Sequence, residues 1–296
     1  MTKIITHSGI AHLDDFLSTC LILYKDGSVD EIVRQNVISE EDLNNTSIWK
    51  VDISEIHDSS IKAFDHHQEG IDDCAFSLLL KYWEVWEKVI EVYSWVPSVV
   101  EIDTLGLGYF LANNRISREI FFQLDSFVER ALIELFQRVR VVSKEKNKLL
   151  FLIMKQIGKQ FFKGIESYQK LQDNFESQVN IIPISKSGVE EDLTKGIPVL
   201  MYLTKKPEYS SHLFKIFRNY KSKILPEHRG SWVAAFSYDR PENSIYLKRY
   251  GNPSHIDFSR IKSLKKTYFA HEKGFVAIVE NMYEEELSTY IQHALL

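Results

Sequence analysis

Two rhythms of apolar and polar residues share the first hundred positions. Short apolar runs with strand character recur at KIIT (3–6), EIVRQ (31–35), IWKVDI (48–53) and KAFD (62–65). Between them, 14–25 carries apolar residues at helical spacing, with Asp14 and Asp15 where a helix start favours carboxylates. Residues 75–86 form a strongly apolar stretch that predicts a further helix. Strands alternating with helices imply a mostly parallel sheet covered on both faces, with ligands gathering at the carboxyl ends of its strands. From about 115 to 178 the helical rhythm takes over, in SREIFFQLDSFVERALIELFQRVRVV and then KLLFLIMKQIGKQFFKGI. After 180, strand patterns return at NIIPIS, PVLMYLT, SWVAAFSY and SIYLKRY, with helices expected at 208–220 and 282–294. The expected architecture is α/β: an N-terminal, mostly parallel sheet with flanking helices (1–115), a helical middle (116–180) and a smaller C-terminal α/β domain (181–296).

Composition narrows the function classes. The 296-residue chain is 44% hydrophobic and 26% charged, ordinary for a globular protein. No apolar run approaches the ~20 residues that span a bilayer, and MTKIITHSG lacks signal-peptide character. Two cysteines, Cys20 and Cys74, make no disulfide framework. A cytoplasmic protein without membrane partners is expected. Charge is unevenly spread. Residues 1–104 hold 20 Asp/Glu against 7 Lys/Arg, and 205–273 hold 15 Lys/Arg against 6 Asp/Glu. An acidic half suits cations and a basic half suits a polyanion, unless the two simply pair.

The candidate chemistry clusters at the ends of the expected strands. THSGIAHLDD supplies His7, His12, Asp14 and Asp15; WKVDI ends on Asp52; FDHHQ supplies Asp65, His66 and His67; and VVEIDTLG supplies Asp103 after a short loop. Imidazole and carboxylate together suit Mn²⁺, Fe²⁺, Co²⁺ or Zn²⁺. Taken singly, each has a plainer reading. Asp14 and Asp15 serve as helix-start charges, Asp103 as a cap, and a histidine near a strand end as a hydrogen-bonded surface residue. Asp52 resists that treatment, because a carboxylate ending an apolar strand needs a buried partner.

These motifs resemble those of the DHH phosphoesterase superfamily, and most closely its Myg-type branch of metal-dependent exonucleases. The likeness rests on THSGIAHLDD, VDIS, FDHHQ and the following CAFSLLLKYW, and on YFAHEKGF near the C-terminus. The superfamily's usual first motif has two aspartates one residue apart, whereas His12 and Asp14 stand here, giving a softer, less negative site. The resemblance implies two divalent ions, Mn²⁺ foremost with Mg²⁺, Co²⁺ or Zn²⁺ as alternatives, sharing Asp52. His7 and His12 would complete one site, and Asp14, His66 and Asp103 the other. His67 would face the leaving oxygen, and Asp65 would orient an imidazole. Asp15 is left open between that orienting work and a helix-start charge.

Holding the rest of a substrate falls to the C-terminal domain. Arg229, with Gly230 and Ser231, is a candidate phosphate-gripping turn. Arg249, His271 and Gly274 are further candidate contacts, with Gly274 allowing close backbone approach. Tyr246 and Tyr250 either stack on bases or share a sheet face. Lys262, Lys265 and Lys266 read as a solvated basic face that favours a polyanion. The expected activity is hydrolysis of phosphodiester bonds in single-stranded or short oligonucleotides, with 3′-to-5′ polarity implied by the resemblance alone. Hydrolysis of a small phosphate compound such as pyrophosphate or a cyclic dinucleotide, and non-catalytic nucleic-acid binding, are the alternatives. A homodimer is left open.

Overall fold

The fold is a computed structural model that describes residues 2–68, 70, 72–124, 126–190, 192, 195–204, 211–252 and 254–296. It divides into two compact units, Met1–Ser167 and Tyr168–Leu296.

The first unit is built on a five-stranded sheet. Its strands are β1 (Thr2–His7), β2 (Val29–Gln35), β3 (Trp49–Val51), β4 (Ala63–Phe64) and β5 (Val141–Ser143), in the order β4-β3-β1-β2-β5. All neighbours run parallel except β2 and β5. The central strands are buried on both faces, with Ile4, Ile5, Ile32, Val51 and Phe64 excluded from solvent, which is why they read as short apolar runs.

Register decides where the chemistry lies. Thr6 pairs with Val51, and Val51 with Phe64. One residue beyond that row come His7, Asp52 and Asp65, on adjacent strands about 4.8 Å apart. Three segments that are distant in sequence are thereby delivered side by side at one sheet edge.

The unit's helices are α1 (Leu13–Lys25), α2 (Glu40–Asn44), α3 (Ala75–Tyr82), α4 (Trp86–Val92), α5 (Val96–Leu105), α6 (Leu107–Asn113), α7 (Arg118–Gln123), α8 (Phe127–Arg138) and the first part of the 31-residue α9 (Lys148–Gln178). The structure departs from the sequence expectations at four points. The apolar stretch 75–86 is not one helix: α3 stops at Tyr82, Glu84 takes a left-handed φ of 56°, and α4 restarts at Trp86. Asp103 does not follow a strand but sits inside α5. The segment expected to be helical also contributes β5 to the sheet. The expected boundary near 180 lies just past α9, whereas the units divide within that helix.

The second unit holds β6 (Asn180–Ser185), β7 (Gly188–Val189), β8 (Ile197–Tyr202), α10 (Ser211–Ile224), β9 (Trp232–Tyr238), β10 (Ser244–Tyr250), β11 (Thr267–Ala270), β12 (Val276–Glu280) and α11 (Glu284–His293). Its seven strands run in the order β11-β12-β10-β9-β8-β6-β7 and are antiparallel except for β8 beside β9. One face packs Val233, Ala235, Leu247 and Val279 against Phe258, Leu287 and Ile291. The start of the helix expected at 208–220 falls on residues 208–210, outside the described ones. No helix among the described residues is long and apolar enough to cross a membrane.

Close packing within the first unit generates a prediction. A Cβ at Gly158 of α9 would lie 2.1 Å from the Cys20 carbonyl oxygen of α1. Helix propensity alone favours Gly158→Ala by about 1 kcal/mol. The backbone clash reverses the sign, and a net loss of about 1–3 kcal/mol is expected. The denaturant midpoint should fall with an unchanged slope; a rise in midpoint would refute the contact.

Candidate metal centre

A cavity of about 480 Å³ opens at the carboxyl edge of the first sheet, lined by His7, Ile10, His12, Asp52, His66, His67 and Asp103. All six of the nitrogen and oxygen donors in that lining come from the four motifs. Asp14 adds a fully buried carboxylate beneath them.

The local backbone explains the convergence. His7 ends β1, and His12 sits at the N-cap of α1. Asp52 follows β3 in a left-handed conformation, φ 54°, which turns the chain sharply at the strand end and which Asp tolerates better than most residues. Asp65 follows β4, and its carboxylate is fixed by three hydrogen bonds. It accepts from the backbone amides of Glu55 (2.9 Å) and His67 (3.0 Å) and bonds the His67 Nδ1 at 2.8 Å. Burial pulls the Asp65 carboxyl upward, but these donors prevail and hold it below its ordinary range.

The donors form three overlapping groups whose ligand atoms lie within 4.8 Å of one another: His7, His12 and Asp52; Asp52, Asp65, His66 and His67; and His12, Asp14 and Asp103. Asp52 faces His7 (3.3 Å) through Oδ2, and His66 (3.6 Å) and His67 (3.3 Å) through Oδ1. His66 reaches Asp103 at 3.3 Å, and His12 reaches it at 3.6 Å. Asp65, expected only to orient an imidazole, also lies within ligand distance of Asp52, His66 and His67.

The donor atoms themselves bear on what the site can hold. Both oxygens of Asp14, Oδ2 of Asp15, Oδ1 of Asp52, Oδ2 of Asp103, Nε2 of His7 and Nδ1 of His66 are buried without a hydrogen-bond partner. Buried polar atoms in folded proteins are almost always satisfied, so such a cluster at one cavity fits bound cations. Asp14 in particular is not the cap of α1, a position that His12 holds.

Charge repulsion points the same way. Burial, reinforced by Asp52, Asp103 and Asp15, pushes the Asp14 carboxyl well above its ordinary range. Burial likewise raises Asp52 to about 6. His7 is raised to about 9, chiefly by Asp15, whose Oδ2 faces its Nε2 at 3.2 Å. Its Nδ1 donates to the Ser8 carbonyl (2.8 Å), which leaves Nε2 for a ligand.

Arg34 was not anticipated from sequence. In EIVRQ it reads as an outward strand charge, yet it is only 2% exposed. Its guanidinium donates to the carbonyls of Phe136 (3.2 Å) and Gly9 (3.4 Å) and lies 3.8 Å from Asp15. Asp15 is fully buried. Its Oδ1 accepts the His12 amide (2.9 Å), and its Oδ2 lies 3.2 Å from His7. Asp15 thus does both jobs left open for it, starting α1 and orienting His7.

The C-terminal candidates lie in the second unit. Arg229 is exposed. The Ser231 hydroxyl donates to the Asn252 carbonyl (3.2 Å) and meets His255 Nδ1 at 3.1 Å. Arg249 donates to the Ile256 carbonyl. Gly274 has φ 62°, and a Cβ there would fall 1.8 Å from the Asp257 carboxylate, so its packing alone demands glycine. His271 accepts the Lys273 amide (3.1 Å) and packs on Phe275 at 4.2 Å between ring centres. Tyr250 stacks on Trp232 (4.1 Å) and Tyr246 on Phe236 (5.0 Å), as same-face sheet neighbours. Lys266 pairs with Glu286.

Two predictions follow from the centre's electrostatics. At pH 7 the metal-free His7 carries a proton that a bound ion must displace, so ion affinity should rise with pH up to about 9. Calorimetric Mn²⁺ titrations in two buffers of different ionisation enthalpy should report net proton release; identical heats would contradict the assignment. Arg34→Met should cost about 3–5 kcal/mol by stranding the buried Asp15 charge, and should weaken ion binding about 10–100-fold. The double variant with Asp15→Asn should regain stability but not affinity. Wild-type affinity in the single variant would break the link from Arg34 to His7.

No curated protein matches the chain. Residues 3–78, which carry His7, His12, Asp14, Asp52, Asp65, His66 and His67 but not Asp103, match the family MYG1_exonuc, described as an uncharacterised protein family (UPF0160).

Proposed function

We propose that this protein is a two-metal phosphodiesterase, an exonuclease acting on single-stranded or short oligonucleotides. The observation that carries this reading is the set of buried, unpartnered nitrogen and oxygen donors around one open cavity. The matched family's name, which speaks of an exonuclease, supports the same reading. His7, His12, Asp14, Asp52, His66 and Asp103 are the proposed ligands, with Asp52 shared between two ions and Mn²⁺ the best fit to a mixed imidazole and carboxylate set. When bound, such ions neutralise phosphoryl charge and make an attacking water easier to deprotonate.

The chain's own groups account for the remaining tasks. His67 is more than half exposed at the cavity mouth, where it can meet substrate. Burial lowers its proton affinity, but the hydrogen bond to Asp65 and the charges of Asp52, Asp65 and Asp103 outweigh that and raise it. A protonated imidazole held by a fixed carboxylate is suited to donate a proton to the leaving oxygen. Asp65 sets the ring's orientation. Arg229, Arg249 and His271 remain the proposed substrate contacts of the second unit, Gly274 being accounted for by its packing on Asp257, and the basic 205–273 stretch favours a polyanion.

The test uses metal-stripped protein, a labelled single-stranded oligonucleotide and added Mn²⁺, beside Asp52→Ala. A ladder of products is expected from the wild type, with polarity read from the end label. Asp52→Ala should lose more than the ~10–100-fold typical of an outer partner. Near-wild-type turnover in that variant would remove Asp52 from the centre. No product with Mn²⁺, Mg²⁺, Co²⁺ or Zn²⁺ would sink the nuclease reading.

A further inference from the structure

A second cavity, of about 380 Å³, shares His12 and Asp103 with the metal centre and extends away from it beneath α5 and α7. We infer that this cavity is a nucleobase pocket, receiving the base that neighbours the phosphate held at the metal centre. The inference rests on the proposed function and adds the group that the site would select.

Its walls are of two kinds. Leu13, Val99, Ile102, Phe121 and Phe122 supply apolar surface, and the two phenylalanine rings meet edge to face at 5.7 Å. The charged lining is acidic: Asp14, Asp103 and Glu129. Neither lysine nor arginine lines the cavity among the described residues. A phosphate would find no lysine or arginine there and no cation other than the ions that Asp14 and Asp103 are proposed to hold, whereas a flat, neutral, hydrogen-bonding ring is accommodated. The volume lies within the range of about 300–1,000 Å³ used by small-molecule sites. Shared lining at His12 and Asp103 makes the pocket continuous with the cavity proposed to hold the phosphate, so one nucleotide can occupy both.

Phe122 is the informative ring. At 53% exposure it contributes little to the core, although an exposed phenylalanine is costly to keep in water. Base stacking on an aromatic face gives it a use, and stacking tolerates any base because all have a π face.

The test separates this inference from the proposed function. Two substrates are compared in wild type and Phe122→Ala: a dinucleotide carrying 2-aminopurine, and the same phosphodiester with that base removed. Stacking should quench 2-aminopurine fluorescence on binding, and Phe122→Ala should weaken that binding about tenfold or more. KM for the dinucleotide should rise correspondingly, while the rate on the baseless diester stays unchanged. Binding without quenching, or equal affinity in the two proteins, would overturn the pocket. If the wild type hydrolyses neither diester, the nuclease reading fails, and the fluorescence titration alone then decides the pocket. Matching thermal transitions of the two proteins would confirm that Phe122→Ala leaves the fold intact.

Discussion

Several buried carboxylates crowd one cavity, and that repulsion is the constraint to which the rest of the first unit answers. Asp14, Asp15 and Asp52 are each less than 5% exposed, and Asp103 joins them from α5. An uncompensated buried charge costs several kcal/mol, so such a cluster persists only with protons, cations or donors at hand. The protein divides the burden unequally. Asp65 is satisfied by two amides and an imidazole and stays ionised. Asp15 is balanced by Arg34 and by His7. Asp14 and Asp52 are left to take up protons or metal. The residues with fixed partners build the frame, and those without them are left open to ions.

The frame depends on the parallel sheet. Adjacent parallel strands present their carboxyl ends at one edge, and the register of β1, β3 and β4 puts His7, Asp52 and Asp65 in one row. A shift of one residue in β3 would turn Asp52 to the opposite sheet face and dissolve the centre. That register is secured by burial on both faces, where Ile5, Val51 and Phe64 leave no room for slippage. Lys50, itself fully buried, adds a tie by donating to the carbonyls of Asn45 (2.7 Å) and Ile61 (2.6 Å) on either side of β3.

The sheet and its edge residues were legible because period and residue type agreed. IWKVDI reads as a strand with a carboxylate at its end, and the structure puts Asp52 at that end. Asp103 was legible as a partner but not by position, because VVEIDTLG carries no signal separating a helix from a post-strand loop. Pro97 at the start of α5 was the missed cue, being well placed in a first helical turn. The break at Glu84 was invisible because 75–86 is helical in composition throughout, and a left-handed residue without glycine leaves no mark in the sequence. Arg34 was hidden for the opposite reason. Its residue type predicts exposure, and only the fold shows the carbonyls and the carboxylate that admit it to the core. The second unit's packing roles were likewise illegible: Gly274 looked like room for a ligand, whereas the space is already taken by Asp257.

The charge pattern of the first unit also bears on the order of binding. The metal-centre cavity is lined by carboxylates and imidazoles, and the adjoining apolar pocket by three carboxylates, with neither lysine nor arginine in either lining among the described residues. Arg34 lies behind Asp15, and its charge is already shared with the Phe136 and Gly9 carbonyls. A phosphodiester approaching this cavity meets carboxylates and imidazoles, and bound cations would supply the positive charge that lysine and arginine do not. Attraction between unit charges a few ångströms apart is several-fold stronger in a partly buried site than in water, and repulsion scales in the same way. Under the proposed function, substrate affinity at this edge would depend on cation occupancy, and the basic composition of 205–273 would act on encounter rather than at the reacting phosphate.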